Sequence, residues 1–313
     1  MENKEKNFIS AVIYVHNAEN RIESFLKTII AVLEDNFEHS EIICVNDSSN
    51  DKSLSVIKKA SAVATSASVS VVNMSYFHGL ELAMNAGVDI SIGDFVLEFD
   101  NTVIDYDKDE IMNIYRKSLQ GYDIVSAVPN RKERFTSKLF YKVFNRFANL
   151  SYKMHTESFR ILSRRVINRI NSMNKTVPYR KAIYAGSGLK TDTIVYEVIN
   201  IGANVQADRR EINYRSGLAV DSLILFTEVG YIFAIAMMAL MMVISVFMII
   251  YSIVIYTTAH PVAGWTTTIL FLAVAFFGLF GILTVIIKYL QLLVKLVFKR
   301  KHYSFDGVEK LTK

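Results

Sequence analysis

The chain has 313 residues, 51% of them hydrophobic and 21% charged, with only 3 Pro and a formal net charge of +5. This apolar share excludes a disordered or collagen-like chain, and a single cysteine, Cys44, excludes an internal disulfide and a Cys-based zinc cluster. The charged opening, residues 1–7, lacks the apolar stretch of a signal peptide, so most of the chain is expected in the cytoplasm.

The first 128 residues alternate β-rich apolar runs with helix-like segments. Strands are expected at 8–15, 41–45, 69–74, 95–99 and 123–128, and helices at 20–34, 52–65, 80–90 and 108–120. Near-continuous runs such as Ala11-Val12-Ile13 suit strands covered on both faces. Asp51 and Asp107 stand where N-caps are needed. The alternation predicts a doubly wound α/β sheet that binds ligands at the carboxyl ends of its strands.

Pro129 ends that pattern. From Arg131 to Lys153, Phe135, Leu139, Phe140, Val143, Phe144, Phe147 and Leu150 recur at spacings of three and four among Lys and Arg. This predicts an amphipathic helix with a basic face; packing on the sheet is the alternative, but the apolar runs downstream favour a helix lying in a membrane interface. Charge divides at the same place. Residues 1–128 hold 20 Asp/Glu against 10 Lys/Arg, whereas residues 129–215 hold 18 Lys/Arg against 6 Asp/Glu. The basic half leads directly into apolar sequence, which favours anionic lipid or a phosphorylated ligand over nucleic acid.

Residues 222–287 contain no Lys or Arg, and Glu228 is the only carboxylate. Two apolar runs, 229–256 and 265–287, each exceed the ~20 residues that cross a bilayer as a helix. Arg209, Arg210 and Arg215 precede the first run; Lys288, Lys295, Lys299, Arg300 and Lys301 follow the second. The positive-inside rule then places both termini in the cytoplasm, with a short outer hairpin. The expected plan is a cytoplasmic domain at 1–220, a two-helix anchor at 221–298 and a basic cytoplasmic tail at 299–313.

Carboxylates and amides collect at the expected strand ends: Asn17 and Glu19, then Asn46 and Asp47, then Asp100. Such groups can hydrogen-bond a base and ribose, and a carboxylate can hold a metal that neutralises a pyrophosphate. Each alone also serves as a turn residue or helix cap. No His pair has metal-ligand spacing, and Gly186-Ser187-Gly188 lacks the lysine of a phosphate loop.

These residues occur in an order that resembles the inverting family 2 glycosyltransferases acting on polyprenyl phosphates, the dolichol-phosphate mannose synthase and bactoprenol glucosyltransferase group. His16-Asn17-Ala18-Glu19 resembles the family's Tyr-Asn-Glu-Glu, and Asn46-Asp47-Ser48-Ser49 its Asp-Asp-Gly-Ser turn. The run from Gly93 to Asp100 resembles the approach to its Asp-x-Asp motif; Phe159-Arg160-Ile161-Leu162 and Val262-Ala263-Gly264-Trp265-Thr266 resemble later signatures. The resemblance implies a glycosyltransferase-A-type Rossmann-like sheet followed by two transmembrane helices. It implies Asp100 as the catalytic metal ligand for Mg²⁺ or Mn²⁺, and Asn17, Glu19 and Asp47 at the nucleotide. Arg131, Lys138 and Arg160 are the candidates for the acceptor phosphate.

The implied reaction moves one sugar from a nucleotide-diphosphate sugar to polyprenyl (undecaprenyl) phosphate at the cytoplasmic face of the inner membrane, for cell-surface glycan modification. The resemblance also implies a homo-oligomer; the basic block that runs into apolar sequence argues against a nucleic-acid partner. The sequence departs from the family at Thr102, which replaces the second Asp of Asp-x-Asp, and at Tyr76-Phe77-His78-Gly79, which replaces Arg-Asn-x-Gly. Asp105 is a possible substitute ligand. Altered donor preference, weak activity and loss of activity all stay open. A weak or inactive relative that binds nucleotide sugar or lipid phosphate as a membrane scaffold is the alternative; a transporter is disfavoured, because the two runs carry no ionisable residue beyond Glu228.

Overall fold

The computed structural model describes residues 4–131, 135–148, 152–172, 179–199, 209–227 and 305–312, with scattered positions between 229 and 293. The chain forms two compact units, one comprising residues 1–145, 149–219 and 300–313, the other 146–148 and 220–299.

The first unit is built on an eight-stranded sheet. Its strands are β1 (Ile9–Val15), β2 (Ser40–Asn46), β3 (Ser68–Met74), β4 (Phe95–Phe99), β5 (Ile124–Pro129), β6 (Phe159–Ser163), β7 (Thr191–Tyr196) and β8 (Phe305–Lys310). They lie in the order β7-β5-β6-β4-β1-β2-β3-β8. β1 pairs in parallel with β2 and β4, and β2 with β3. β6 is inserted antiparallel between β4 and β5, and β8 lies antiparallel on the β3 edge. The expected α/β sheet of Rossmann-like order is present, in mixed form.

The helices of this unit are α1 (Ile22–Asn36), α2 (Ser53–Ala60), α3 (Leu80–Ile90), α4 (Asp109–Ser118), α5 (Phe135–Phe147), α6 (Arg164–Ser172), α7 (Arg180–Ala185) and the first part of α8 (Arg209–Phe226). In α1, Ile22, Phe25, Leu26, Ile29, Ile30 and Leu33 recur every three or four residues and are all buried on the sheet. Each such side chain contributes about 1.5–3 kcal/mol by leaving water. The alternation along β1 sorts the core into two layers. Ile9, Ala11, Ile13 and Val15 join the layer of α1 and α4, while Val12 and Tyr14 join that of α3 and α6. α3 comes so close that a Cβ on Gly87 would stand 2.4 Å from Val12 Cγ1. Asp51 and Asp107, expected as N-caps, stand one residue ahead of the capping positions Lys52 and Lys108; Oδ1 of each accepts the amide two residues on, from Ser53 at 2.9 Å and Asp109 at 3.0 Å.

Two expectations change. The segment expected as a basic tail is a strand from Phe305, held to β3 by the ladder and by Leu311 N donating to Val69 O at 2.8 Å. Edge pairing with β3 uses backbone groups, which composition does not report. The amphipathic helix expected over 131–153 runs over Phe135–Phe147 among the described residues. Past its end the chain folds back, and Asn145 makes two hydrogen bonds to the backbone of Met154 (2.9 and 3.0 Å).

In the second unit the described residues between 229 and 293 are helical. Gly230 lies against the ring of Tyr289, and Gly278 against Met241. No helix is long and apolar enough to cross a membrane among the described residues. Much of the expected spans 229–256 and 265–287, and the whole hairpin between them, lies outside the described residues.

Candidate functional site

The carboxyl ends of β1, β2, β3 and β4 meet along one edge of the sheet, because Val15 is in register with Asn46, Asn46 with Asn73, and Ile13 with Phe99. Asn17, Glu19 and Asp47 come together there. Asn17 has φ 48°, a left-handed conformation that Asn tolerates. Its Oδ1 accepts the Asn50 amide at 2.9 Å, and its own amide donates to Ser49 Oγ at 3.1 Å. Glu19 Oε2 accepts the Lys52 amide at 2.9 Å, stitching the β1–α1 turn to the start of α2. Asn17 and Glu19 are half-buried.

Asp47 is fully buried. Its carboxylate accepts the amides of His78 and Gly79, each at 2.8 Å, and the Tyr14 hydroxyl at 3.1 Å. Burial pushes its pKa up, and the three donors offset only part of that. Asp47 therefore fixes the loop between β3 and α3 and presents no open face to a ligand. Gly79 is obligatory in that loop: its φ is +83°, and a Cβ would lie 2.3 Å from the ring of Tyr214 on α8.

Asp100 directly follows β4 and faces the layer of α3 and α7, the same side as Glu98 two residues before it. A carboxylate inside an apolar strand must find a cation, and here two arginines supply it. Arg160 on β6 reaches Glu98 and Asp100 at 2.7 Å each and Glu157 at 3.0 Å. Arg180 on α7 reaches Glu98 at 2.6 Å, Asp100 at 2.8 Å and Glu81 on α3 at 3.1 Å. The Tyr184 hydroxyl donates to Glu98 at 2.9 Å. Burial alone would raise the Asp100 pKa, but Arg160 and Arg180 override it and hold the carboxyl far below the usual carboxylate range. The same carboxylates keep both buried guanidiniums charged.

This geometry corrects the expected role of Arg160. It is 1% exposed and engaged by three carboxylates, so it does not offer its fork to an acceptor phosphate. Arg131 and Lys138 are exposed, but Arg131 is paired with Asp105 at 3.0 Å. Asp105 is also unavailable as a substitute metal ligand, because its other oxygen accepts the Tyr196 hydroxyl at 2.8 Å. The residues missed in the sequence are Arg180, Glu81, Glu98 and Glu157.

The donor set does not fit a resident Mg²⁺ or Mn²⁺ ion in this arrangement. Both oxygens of Asp100 face guanidinium, Thr102 has no carboxylate, and no group of three His, Cys, Asp or Glu side chains could hold a metal among the described residues.

Comparison with known proteins agrees with the sheet and its motifs. The model of glycosyl transferase family 2 matches residues 10–172. The chain belongs to this family, and its relatives include proteins named for bactoprenol and for undecaprenyl phosphate. An uncharacterized glycosyltransferase of Synechocystis is 30% identical over 195 residues, 60% of each chain. A prophage bactoprenol glucosyl transferase homolog of Escherichia coli is 32% identical over 196 residues, 60% of this chain and 62% of the relative. An undecaprenyl-phosphate 4-deoxy-4-formamido-L-arabinose transferase of Aeromonas hydrophila is 29% identical over 51% of this chain and 48% of the relative. The match thus spans roughly half to three fifths of these relatives' length. Among solved structures, glucosyl-3-phosphoglycerate synthase of Mycobacterium tuberculosis, in complex with Mn²⁺, uridine-diphosphate-glucose and phosphoglyceric acid, superposes with a TM-score of 0.50 at 15% identity, covering 70% of this chain and 79% of that one. That likeness extends to the fold.

Proposed function

We propose that the chain transfers a single sugar from a nucleotide-diphosphate sugar to polyprenyl phosphate at the cytoplasmic membrane face. The observation that carries this reading is the link between α5 and Asp100. α5 leaves Phe135 79% and Leu139 52% exposed beside the exposed Lys138 and Lys142, a surface suited to an anionic bilayer. On its other side Phe140 and Phe144 meet the ring of Tyr179, each at 6.3 Å between centroids. The next residue, Arg180, holds Asp100. A helix suited to the lipid surface is thereby fastened next to the strand end where the donor is expected.

The acceptor phosphomonoester has a second pKa of ~6 and is mostly dianionic at neutral pH, so it can attack the anomeric carbon without a strong base. The bond to the nucleoside diphosphate breaks as the bond to the acceptor oxygen forms. Asp100, held ionised, takes no proton in this step; its charge fixes Arg160 and Arg180 and with them the floor of the site. Exposed Arg131 and Lys138 are the remaining candidates to draw the acceptor phosphate in. Asn17 and Glu19 line the nucleotide side, and Asp47 positions the loop opposite them.

The sheet also supports the two-span topology. β8 follows the apolar region and pairs with β3, which precedes it. That pairing is compatible with an inserted segment that crosses an even number of times. A tag within 259–263 should report the outer face.

The test is full-length chain in nanodiscs with polyprenyl phosphate and a panel of nucleotide sugars, read as release of nucleoside diphosphate and formation of glycolipid. No product from any donor would sink the transferase reading. The scaffold reading is favoured by one observation, the clamping of both Asp100 oxygens; binding of nucleotide sugar without turnover would establish it.

A further inference from the structure

We infer that Tyr76 is a stacking platform for the heteroaromatic base of the donor nucleotide, an inference that rests on the donor reading above. Tyr76 follows β3 at the sheet edge that carries Asn17 and Asp47, where doubly wound sheets bind their ligands. It is 61% exposed, whereas His78 and Gly79 in the same loop are buried and Phe77 is half-buried.

One face of the Tyr76 ring is covered. The buried imidazole of His78 lies nearly parallel to it, with centroids 3.9 Å apart and 20° between planes. His78 Nδ1 lies 2.5 Å from the Tyr76 carbonyl oxygen, which fixes the imidazole under the tyrosine. The loop beneath is held by the hydrogen bonds that the His78 and Gly79 amides donate to Asp47 and by Phe77, whose ring centroid lies 4.8 Å from that of His16 and 6.0 Å from that of Tyr214. A large aromatic held from below and exposed above has its ordering cost met before any ligand arrives. Burying an exposed ring elsewhere would gain the fold more; here the outer π-face is what the loop presents. Every nucleobase has a matching face, so the platform recognises base as a class, and the choice among bases falls to edge contacts.

The experiment uses full-length protein in nanodiscs and calorimetric titration with UDP, GDP, ADP, CDP and dTDP, and with pyrophosphate as a probe that has no base. Tyr76→Ala and Tyr76→Leu should weaken the nucleotides that the wild type binds by about tenfold, within the usual range of base–aromatic stacking. Pyrophosphate binding should stay unchanged, and Tyr76→Phe should retain wild-type affinity. Tyr76→Trp should also retain it and change its emission when nucleotide is added. Wild-type nucleotide affinity in both Tyr76→Ala and Tyr76→Leu would overturn the platform and leave the donor reading standing. A wild type that binds none of the five nucleotides would overturn both. An equal loss for nucleotide and pyrophosphate would also overturn the platform, by showing a damaged loop.

Discussion

Asp47 and Asp100 directly follow two strands of one sheet and are both buried, yet their environments push them in opposite directions. Asp47 is met by two backbone amides and a tyrosine hydroxyl, none of which carries charge, so burial dominates and its pKa rises. Asp100 is met by two guanidiniums, so its pKa falls despite its burial. What decides the protonation of a buried carboxyl is the charge of its partners, more than its depth. The two regions also differ in what they can do. The Asp47 region shapes a loop and presents Tyr76 above it, whereas the Asp100 region locks β4, β6, α3 and α7 together by charge.

The largest effect should come from breaking the charged region. Arg160→Met removes one of the two guanidiniums shared by Glu98 and Asp100 and the nearest cation of Glu157, and buried charge left without its cation costs about 3–5 kcal/mol. Chemical denaturation should show that loss, or the variant should fail to accumulate. A loss below about 1 kcal/mol would mean that water reaches Glu98 and the lock is illusory.

Asp100→Asn sharpens the comparison by separating chemistry from folding. If the fixed charges contribute to the transition state, kcat should fall by ~10²–10³ even in protein shown to be folded. Asp47→Ala should instead cost about 1–3 kcal/mol of stability, because two amides and a hydroxyl lose their acceptor. Its effect on transfer should appear mainly as a raised donor KM. The reverse pattern, with Asp47→Ala striking kcat alone, would exchange the roles of the two regions.

The same pair predicts opposite slopes in acid. Asp100 has a lowered folded pKa, so its contribution is present above the unfolded value of ~3.9 and is lost as pH falls below that towards the folded value. Asp47 has a raised folded pKa, so the folded state binds the extra proton, and stability declines as pH rises from ~3.9 to the folded value. Urea midpoints measured across this range should lose their acid-side rise in Asp100→Asn and lose the opposing decline in Asp47→Asn. Parallel profiles for both variants would show that neighbouring groups set the slope.

The sequence was readable where local periodicity decides structure. Five strands and four helices of the first 128 residues lie close to their expected places, because strands such as β1 are buried on both faces and read as continuous apolar runs. β6 was visible only as a motif. Five residues carry little periodicity, and its place between β4 and β5 is set by pairing with distant strands. Arg160 and Arg180 were not legible as buried, since arginine is ordinarily a surface residue. One signal did exist: Glu98 and Asp100 share a face of an apolar strand, and two carboxylates pointing into a core require cations from elsewhere. The sequence did not say which of 35 Lys and Arg residues would supply them.

The smallest effect is expected where a carboxylate is neither buried nor enclosed. Glu309 on β8 meets Lys58 on α2 at 2.6 Å, with side chains 49% and 43% exposed. Both groups stay hydrated, ordering two long side chains costs entropy, and salt screens what attraction remains. Lys58→Met should therefore change stability by less than ~1 kcal/mol, with the difference from wild type vanishing at 1 M salt. β8 should stay in place, because its attachment runs through the ladder to β3, Leu311 N to Val69 O at 2.8 Å, and Thr312 Oγ1 accepting Val69 N at 2.8 Å. Hydrogen exchange at Val71 and Asn73 can read this directly. Faster exchange at both amides in Lys58→Met would show that β8 depends on the ion pair, and that an exposed carboxylate in this chain carries weight comparable to a buried one.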